Sequence, residues 1–118
     1  MRYYHEQMKQ ELPRSMQDTL QKYFPTNDYG VAIVLSGNEG EIDLVSIDKC
    51  EGSITGAMKW THFANLQRKS NGDWELNEQF KGANEDEMWI YGYFNTFGAA
   101  VRNLATKGTE SRKPINTY

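Results

Sequence analysis

The sequence predicts an α+β fold in which an N-terminal helix, an antiparallel sheet of about five strands in meander order and a C-terminal helix follow one another. Two observations predict the helices: apolar residues recur every fourth position in the first 24 residues, and a second helical stripe lies near residue 100. Between them, short runs of strand-forming residues alternate with turn residues. The chain has 118 residues and no internal linker or repeat, so we expect residues 1–118 to form a single domain.

The first helix is predicted at about residues 13–24. The apolar stripe of the first 24 residues comprises Tyr4, Met8, Leu12, Met16, Leu20 and Phe24, and residues 3–11 are predicted to form either a short preceding helix or a frayed arm. Proline is tolerated only in the first turn of a helix, so Pro13 marks the point where the regular helix begins. Turn-forming residues at 25–30 end it.

The first four strands are predicted from alternation and from the turns between them. Residues 31–35 and 42–47 form a hairpin, and because 31–35 is apolar at every position, this strand is expected to be central and covered on both faces. A third strand runs from Ser53 to Leu66 with a bend at Gly56, and its even-numbered residues share one face. Asn71 and Gly72 predict a type I′ turn into a fourth strand at 74–80.

The fifth strand is predicted at about residues 87–94, which are rich in aromatic strand formers. The alternative is a helix opened by a capping box of Asn84 and Glu87. Asn95 is then expected to cap a closing helix at about 96–107, which Gly108 ends. Residues 108–118 are polar and are predicted to form a short tail.

The charge distribution disfavours general nucleic-acid binding. The net charge is −3, and residues 25–56 hold six acidic residues against one basic residue. Binding to duplex phosphates needs a basic face, which this composition lacks. No apolar run approaches the roughly 20 residues that span a bilayer, the N-terminus has no apolar signal core, and Cys50 is the lone cysteine. We therefore expect a cytoplasmic protein with no membrane partner.

The motif search predicts neither a cofactor nor a metal ion. The sequence contains no P-loop, no dinucleotide-binding glycine pattern and no paired-cysteine zinc spacing. Cys50 lies between acidic residues, which disfavour a thiolate nucleophile. His62 is the one candidate general base, and a hydrogen-bonded packing role is the simpler interpretation.

A cluster of carboxylates marks one edge of the predicted sheet. Glu39, Glu41 and Asp43 share parity, so on a strand they project from one face. They are interpreted as a solvated edge, which keeps a sheet from pairing with another, or as an acidic docking surface for a basic partner. A divalent cation site is the weakest interpretation, because the spacing does not match an EF-hand loop.

Aromatic residues define a second candidate surface. Trp89, Tyr91 and Tyr93 are predicted to stand in a row on the outer face of the fifth strand, and such rings are enriched at binding hot spots. Trp60 and Trp74 share even parity on neighbouring strands and are predicted to face the same side, where core packing is the favoured role.

The sequence thus predicts a small non-catalytic binding protein, such as an inhibitor, adaptor or immunity-type factor of the kind that phages and mobile elements often encode. Its partner is expected to be another protein, bound through the acidic edge, the aromatic strand or both. One alternative is a single-stranded nucleic-acid binder, in which the rings of Trp60 and Trp74 stack on bases while Arg68, Lys69 and Lys81 hold phosphates. The other alternative is a small enzyme with a pocket near His62.

Overall fold

Five antiparallel strands in meander order form the body of the fold, and one helix precedes them while another follows. A computed structural model describes residues 2–3, 12–37, 40–51, 59–79, 88–107 and 113–114, and the statements below concern these residues. In chain order the elements are β1 (Arg2–Tyr3), α1 (Arg14–Tyr23), β2 (Tyr29–Ser36), β3 (Ile42–Glu51), β4 (Lys59–Arg68), β5 (Trp74–Gln79), β6 (Met88–Phe94), α2 (Phe97–Lys107) and β7 (Lys113–Pro114). The predicted α+β class and meander order are confirmed.

Both helices begin on identifiable hydrogen bonds. At α1, the N–H groups of Met16 and Gln17 donate to the Pro13 carbonyl, each at 3.0 Å, which confirms the predicted start. At α2, the Ala99 N–H donates to Thr96 Oγ1 at 3.0 Å, so Thr96 caps this helix. The predicted cap at Asn95 was wrong by one residue, because the hydroxyl of the following threonine supplies the bond.

The two helices pack side by side on one face of the sheet, with α2 against β4, β5 and β6. The core combines apolar side chains of the helices and their flanking residues with side chains from one face of the sheet. It comprises Leu12, Leu20, Phe24, Val31, Val34, Ile42, Val45, Ile47, Ala64, Leu66, Trp74, Leu76, Phe97, Ala100, Val101 and Leu104. Trp74 is only 8% exposed and meets Phe97 edge to face at 5.0 Å. We call the sheet face turned toward the helices the helix side and the opposite one the polar face.

Four β-bulges decide which side chains reach each face. The register skips one residue in each of four strands: Ala32 in β2, Asp43 in β3, Phe63 in β4 and Tyr91 in β6. An extra residue reverses the alternation beyond it, since side chains change face at every position of a strand. Parity along the sequence therefore fails to assign faces across any of these points.

The bulge at Phe63 overturns the predicted even-numbered face of the third strand. His62 pairs with Asp48, while Ala64 pairs with the core residue Ile47. His62 and Trp60 consequently lie on the polar face, whereas Ala64 lies on the helix side. The prediction that Trp60 and Trp74 face the same side was therefore wrong.

Two of the hairpin loops share one pair of backbone hydrogen bonds among their described residues. In the β4–β5 loop, the Gly72 N–H donates to the Lys69 carbonyl at 2.9 Å and the Lys69 N–H donates to the Asp73 carbonyl at 2.7 Å. Gly72 has φ of +90°, while no described residue other than glycine has a positive φ, so Asn71 does not. This is a type I turn followed by a glycine bulge, and the predicted type I′ turn was wrong. The β2–β3 loop repeats the hydrogen-bond pair, from Gly40 to Gly37 and from Gly37 to Glu41.

The edges of the sheet also differ from expectation. β1 pairs in parallel with β2, and Lys113–Pro114, predicted as part of the tail, pairs with β6. β2 is therefore next to an edge rather than central, and Leu35 on it is 37% exposed, so the strand is not covered on both faces. The predicted strand start at Ser53, the bend at Gly56 and the helix end at Gly108 lie outside the described residues.

Within the described part of the chain, neither helix is long and apolar enough to cross a bilayer.

Candidate functional site

The polar face carries two rows of side chains that run straight across the five long strands. Cross-strand pairing links Leu35, Leu44, Gln67, Glu75 and Tyr93 in the first row. The second row links Ile33, Ser46, Asn65, Asn77 and Ile90. Each row is apolar at its two end strands, β2 and β6, and polar on β4 and β5.

The ends of the first row are the most exposed large apolar side chains of the described residues. Leu35 is 37% exposed and Tyr93 is 57% exposed. They lie four strand spacings apart, or about 19 Å. Single exposed apolar side chains are common on protein surfaces, so the feature of interest is that these two end the same row.

The middle of the polar face is a buried hydrogen-bonded network centred on Glu75 and Asn77, each 1% exposed. The Asn77 amide donates to Glu75 Oε1 at 2.7 Å and to Gln67 Oε1 at 3.3 Å, and its oxygen accepts from Asn65 Nδ2 at 3.2 Å. Lys69 Nζ lies 3.5 Å from Glu75 Oε2. Buried polar groups that are all paired in this way hold one another rigidly.

Tyr93 lies directly opposite Glu75, the carboxylate of this network, on the neighbouring strand. Burial raises the pKa of Tyr93 above its ordinary value of 10.0, and the negative charge of Glu75 and a hydrogen bond to it raise that pKa further. The phenol therefore stays protonated at neutral pH and can donate. The residue is 57% exposed, so it presents an accessible aromatic ring on the polar face.

His62, the predicted candidate base, contacts two residues of β3 through a single nitrogen. Ser46 Oγ lies 3.3 Å and Asp48 Oδ1 lies 3.8 Å from His62 Nδ1. A catalytic triad requires the serine and the carboxylate on opposite ring nitrogens, so that one orients the ring while the other loses its proton. Such an arrangement can position the ring between β3 and β4 but not relay a proton from Ser46 to Asp48.

Asp48 gives the fold a predictable pH dependence. Burial raises the pKa of its carboxyl above 3.8, and the charge of His62 and a hydrogen bond to it offset part of that rise. Because the folded state raises the pKa of Asp48, protonation of this carboxyl favours folding. The contribution is fully present at a pH below the pKa of the unfolded state, and it is lost as the pH rises through the pKa of the folded state. Asp48→Asn should therefore gain stability relative to the wild type as the pH rises from about 4. Urea unfolding at a series of pH values measures this gain, and a flat or falling difference would contradict it.

The predicted acidic edge and the predicted phosphate-binding arginine pair with each other. Arg68 Nη2 and Nε donate to Asp43 Oδ1 at 3.0 and 3.2 Å, and Nη1 pairs with Glu41. The hydrogen bond to Asp43 is the main cause of a raised Arg68 pKa. Glu39 lies outside the described residues. The cluster borders a cleft of about 270 Å³ whose apolar lining includes Met16, Ile42 and Trp74.

Close packing at the β2–β3 loop provides a test of this cluster. A Cβ atom added to Gly37 would lie 1.9 Å from Asp43 Oδ2 and would displace the carboxylate from Arg68. We expect Gly37→Ala to lower the free energy of unfolding by about 1–2 kcal/mol, a typical cost of overpacking. In an Asp43→Ala background the same substitution should cost little, and equal costs in the two backgrounds would refute the contact.

The predicted aromatic row divides between the two faces. The bulge places Tyr91 on the helix side, where it packs against the core and its hydroxyl donates to Glu78. Tyr93 lies on the polar face. Trp89 belongs to β6, but its side chain is outside the described part, as is Lys81. The row predicted on one outer face was therefore wrong, because Tyr91 is the bulge residue.

Four residues of the polar face were not predicted as site residues from the sequence: Leu35, Gln67, Glu75 and Asn77. A signal was present in the alternation of Trp74, Glu75, Leu76 and Asn77, which sets two polar residues against two core residues. Whether this alternation marked a site depended on which residues lie opposite Glu75 and Asn77 on the neighbouring strands, and only the strand register shows that. Within the described ranges, no group of three or more histidine, cysteine or acidic residues is arranged to hold a metal ion.

Comparison with known proteins gives no relative: no family model, no curated protein and no solved structure matches the chain.

Proposed function

We propose that the chain is a small non-catalytic binding protein that docks on another protein through the polar face of its sheet. One observation carries the proposal: the two most exposed large apolar side chains of the described residues, Leu35 and Tyr93, end the same cross-strand row. A partner that covered the row would bury both ends together. Tyrosine is among the residues that contribute most at such contacts.

The arrangement of the face favours a protein partner over a small ligand. The exposed ends are about 19 Å apart, which exceeds the width of a drug-sized ligand and suits a broad contact. Between them lies the buried network, whose hydrogen bonds hold the side chains of Glu75, Asn77 and their β4 neighbours in one arrangement. A group that is already fixed loses little conformational freedom on binding.

The charges near the face disfavour the nucleic-acid alternative. Phosphates require unpaired cations. Arg68 is bound by two carboxylates and Lys69 pairs with Glu75, so the two described cations of that hypothesis are engaged. Trp74, its proposed stacking ring, belongs to the core. These observations leave Tyr93 and Trp60 as the described rings that could contact a base.

The test compares protein capture from host lysate by three forms of the immobilised full chain. The double variant Leu35→Ser with Tyr93→Ser removes both ends of the row. The control, Arg14→Ser with Arg102→Ser, shortens two exposed side chains on the helices. We expect a stoichiometric protein bound by the wild type and the control but lost from the double variant, provided circular dichroism shows that all three fold.

Two results would contradict the proposal. One is equal capture by the double variant, which would place the contact elsewhere. The other result has two parts: no stoichiometric protein is captured, and the chain binds labelled oligothymidylate in a way that Tyr93→Ser abolishes. This combination would establish the nucleic-acid alternative.

A further inference from the structure

The amide side chains at the centre of the polar face have a single allowed orientation. A carboxylate can only accept hydrogen bonds. The group of Asn77 that faces Glu75 Oε1 at 2.7 Å must therefore be its NH₂, so its oxygen faces Asn65. The carboxylate of Glu75 thus fixes the direction of every bond in the network.

This orientation also fixes which atoms of the two β4 amides are left for a partner. Asn65 uses its NH₂ group on Asn77, and Gln67 uses its oxygen on Asn77. The contacts of the described residues engage neither Asn65 Oδ1 nor Gln67 Nε2. Both side chains are partly exposed, so the face offers one acceptor and one donor beside each other on the same strand.

We propose that Asn65 and Gln67 recognise the backbone of an extended peptide segment of the partner protein. This inference rests on the proposed function and names the chemistry of its contact. Residues two apart on a strand are separated by about 7 Å, which is the interval at which an extended chain repeats its outward N–H and C=O groups. Asn65 Oδ1 accepts from a backbone N–H, and Gln67 Nε2 donates to a backbone C=O.

A nucleobase fits this pair less well. Its donors and acceptors lie on one ring edge, much closer together than two side chains spaced along a strand. Recognition of a backbone does not depend on the partner's side chains. Specificity for one partner protein would therefore come from the groups of that partner that contact Leu35 and Tyr93 at the ends of the row.

The matched variant for this inference is Gln67→Glu. It keeps the oxygen that accepts from Asn77 Nδ2 and removes the free donor, but it also places a second carboxylate opposite Glu75. Gln67→Met is therefore tested beside it, because it removes the same donor without adding a charge and leaves the Asn77 bond to Glu75 in place. The control Gln21→Glu makes the same chemical change at an exposed position of α1. Urea unfolding establishes that all three variants are folded.

The probe is a blocked, uncharged hexapeptide of alternating threonine and valine, titrated into the ¹⁵N-labelled full chain. We expect the side-chain NH₂ signals of Gln67 and Asn65 to shift saturably, and both Gln67→Glu and Gln67→Met to weaken binding about tenfold or more, as for a lost hydrogen bond. Gln21→Glu should bind like the wild type. The inference is overturned if these signals stay in place up to the solubility limit of the peptide, if Gln67→Glu or Gln67→Met binds equally well, or if hexathymidylate moves the same signals.

The two tests fail independently. The amide signals are read on the isolated chain, whereas the proposed function is judged by protein capture. A captured partner that the double variant loses but Gln67→Glu retains would overturn the inference and leave the proposed function standing.

Discussion

Replacing Trp74 with alanine should lower the free energy of unfolding by about 3–5 kcal/mol, the usual cost of deleting a buried tryptophan. The indole is 8% exposed and packs on Phe97 of α2 at 5.0 Å, so its removal leaves a cavity between sheet and helix. Urea unfolding followed by circular dichroism measures the loss without relying on the deleted fluorophore.

Trp60→Ala is the matched control for this experiment. Trp60 lies on the polar face and is partly exposed, so the same truncation should cost clearly less stability. A mild Trp74→Ala variant that folds normally but loses binding to oligothymidylate would instead assign Trp74 to a base-stacking surface, as the nucleic-acid alternative requires.

Glu75→Ala should destabilise the fold by about 1–3 kcal/mol, because the buried Asn77 amide loses an acceptor and is left partly unsatisfied. The loss extends to Lys69, 3.5 Å from the carboxylate. Glu75→Gln keeps an oxygen for Asn77 and should cost less. Paired urea unfolding curves of the two variants measure the difference, and equal losses would mean that Asn77 does not depend on that oxygen.

A spectroscopic readout separates the charge of Glu75 from its packing. Because that charge helps to raise the pKa of Tyr93, Glu75→Gln should bring the pKa back toward 10.0. Alkaline titration of tyrosinate absorbance measures the shift, and Tyr93→Phe identifies the signal. An unchanged titration would show that the phenol does not feel this carboxylate.

Local rules predicted the elements well because their signals are local. Pro13 can stand only at a helix start, and the alternation around Trp74 and Leu76 requires a half-buried strand. Even the ambiguous segment at 88–94 was assigned correctly from its β-branched and aromatic content. The cap was predicted one residue early because Asn95 and Thr96 can both accept the capping hydrogen bond, and Thr96 does so. The turn type was wrong because Gly72 adopts a positive φ whereas Asn71 does not.

The faces could not be predicted because bulges leave no clear mark in a sequence. Phe63 and Tyr91 are ordinary strand formers, and although a glycine inside a strand, such as Gly92, often marks a bulge, it does not show which neighbouring residue is the extra one. One unseen bulge moved Trp60 and His62 to the polar face, and another separated Tyr91 from Tyr93. Likewise, the acidic edge was visible in the sequence, but its partner Arg68 lies 25 residues from Asp43.

Hydroxyl-radical footprinting of the chain bound to its captured protein tests most directly whether the polar face is the docking surface. We predict that oxidation of Tyr93 and Leu35 falls on binding, while oxidation of Met16 on the helix side is unchanged. Protection of Met16 with Tyr93 and Leu35 still fully reactive would contradict the account and place the contact on the helices.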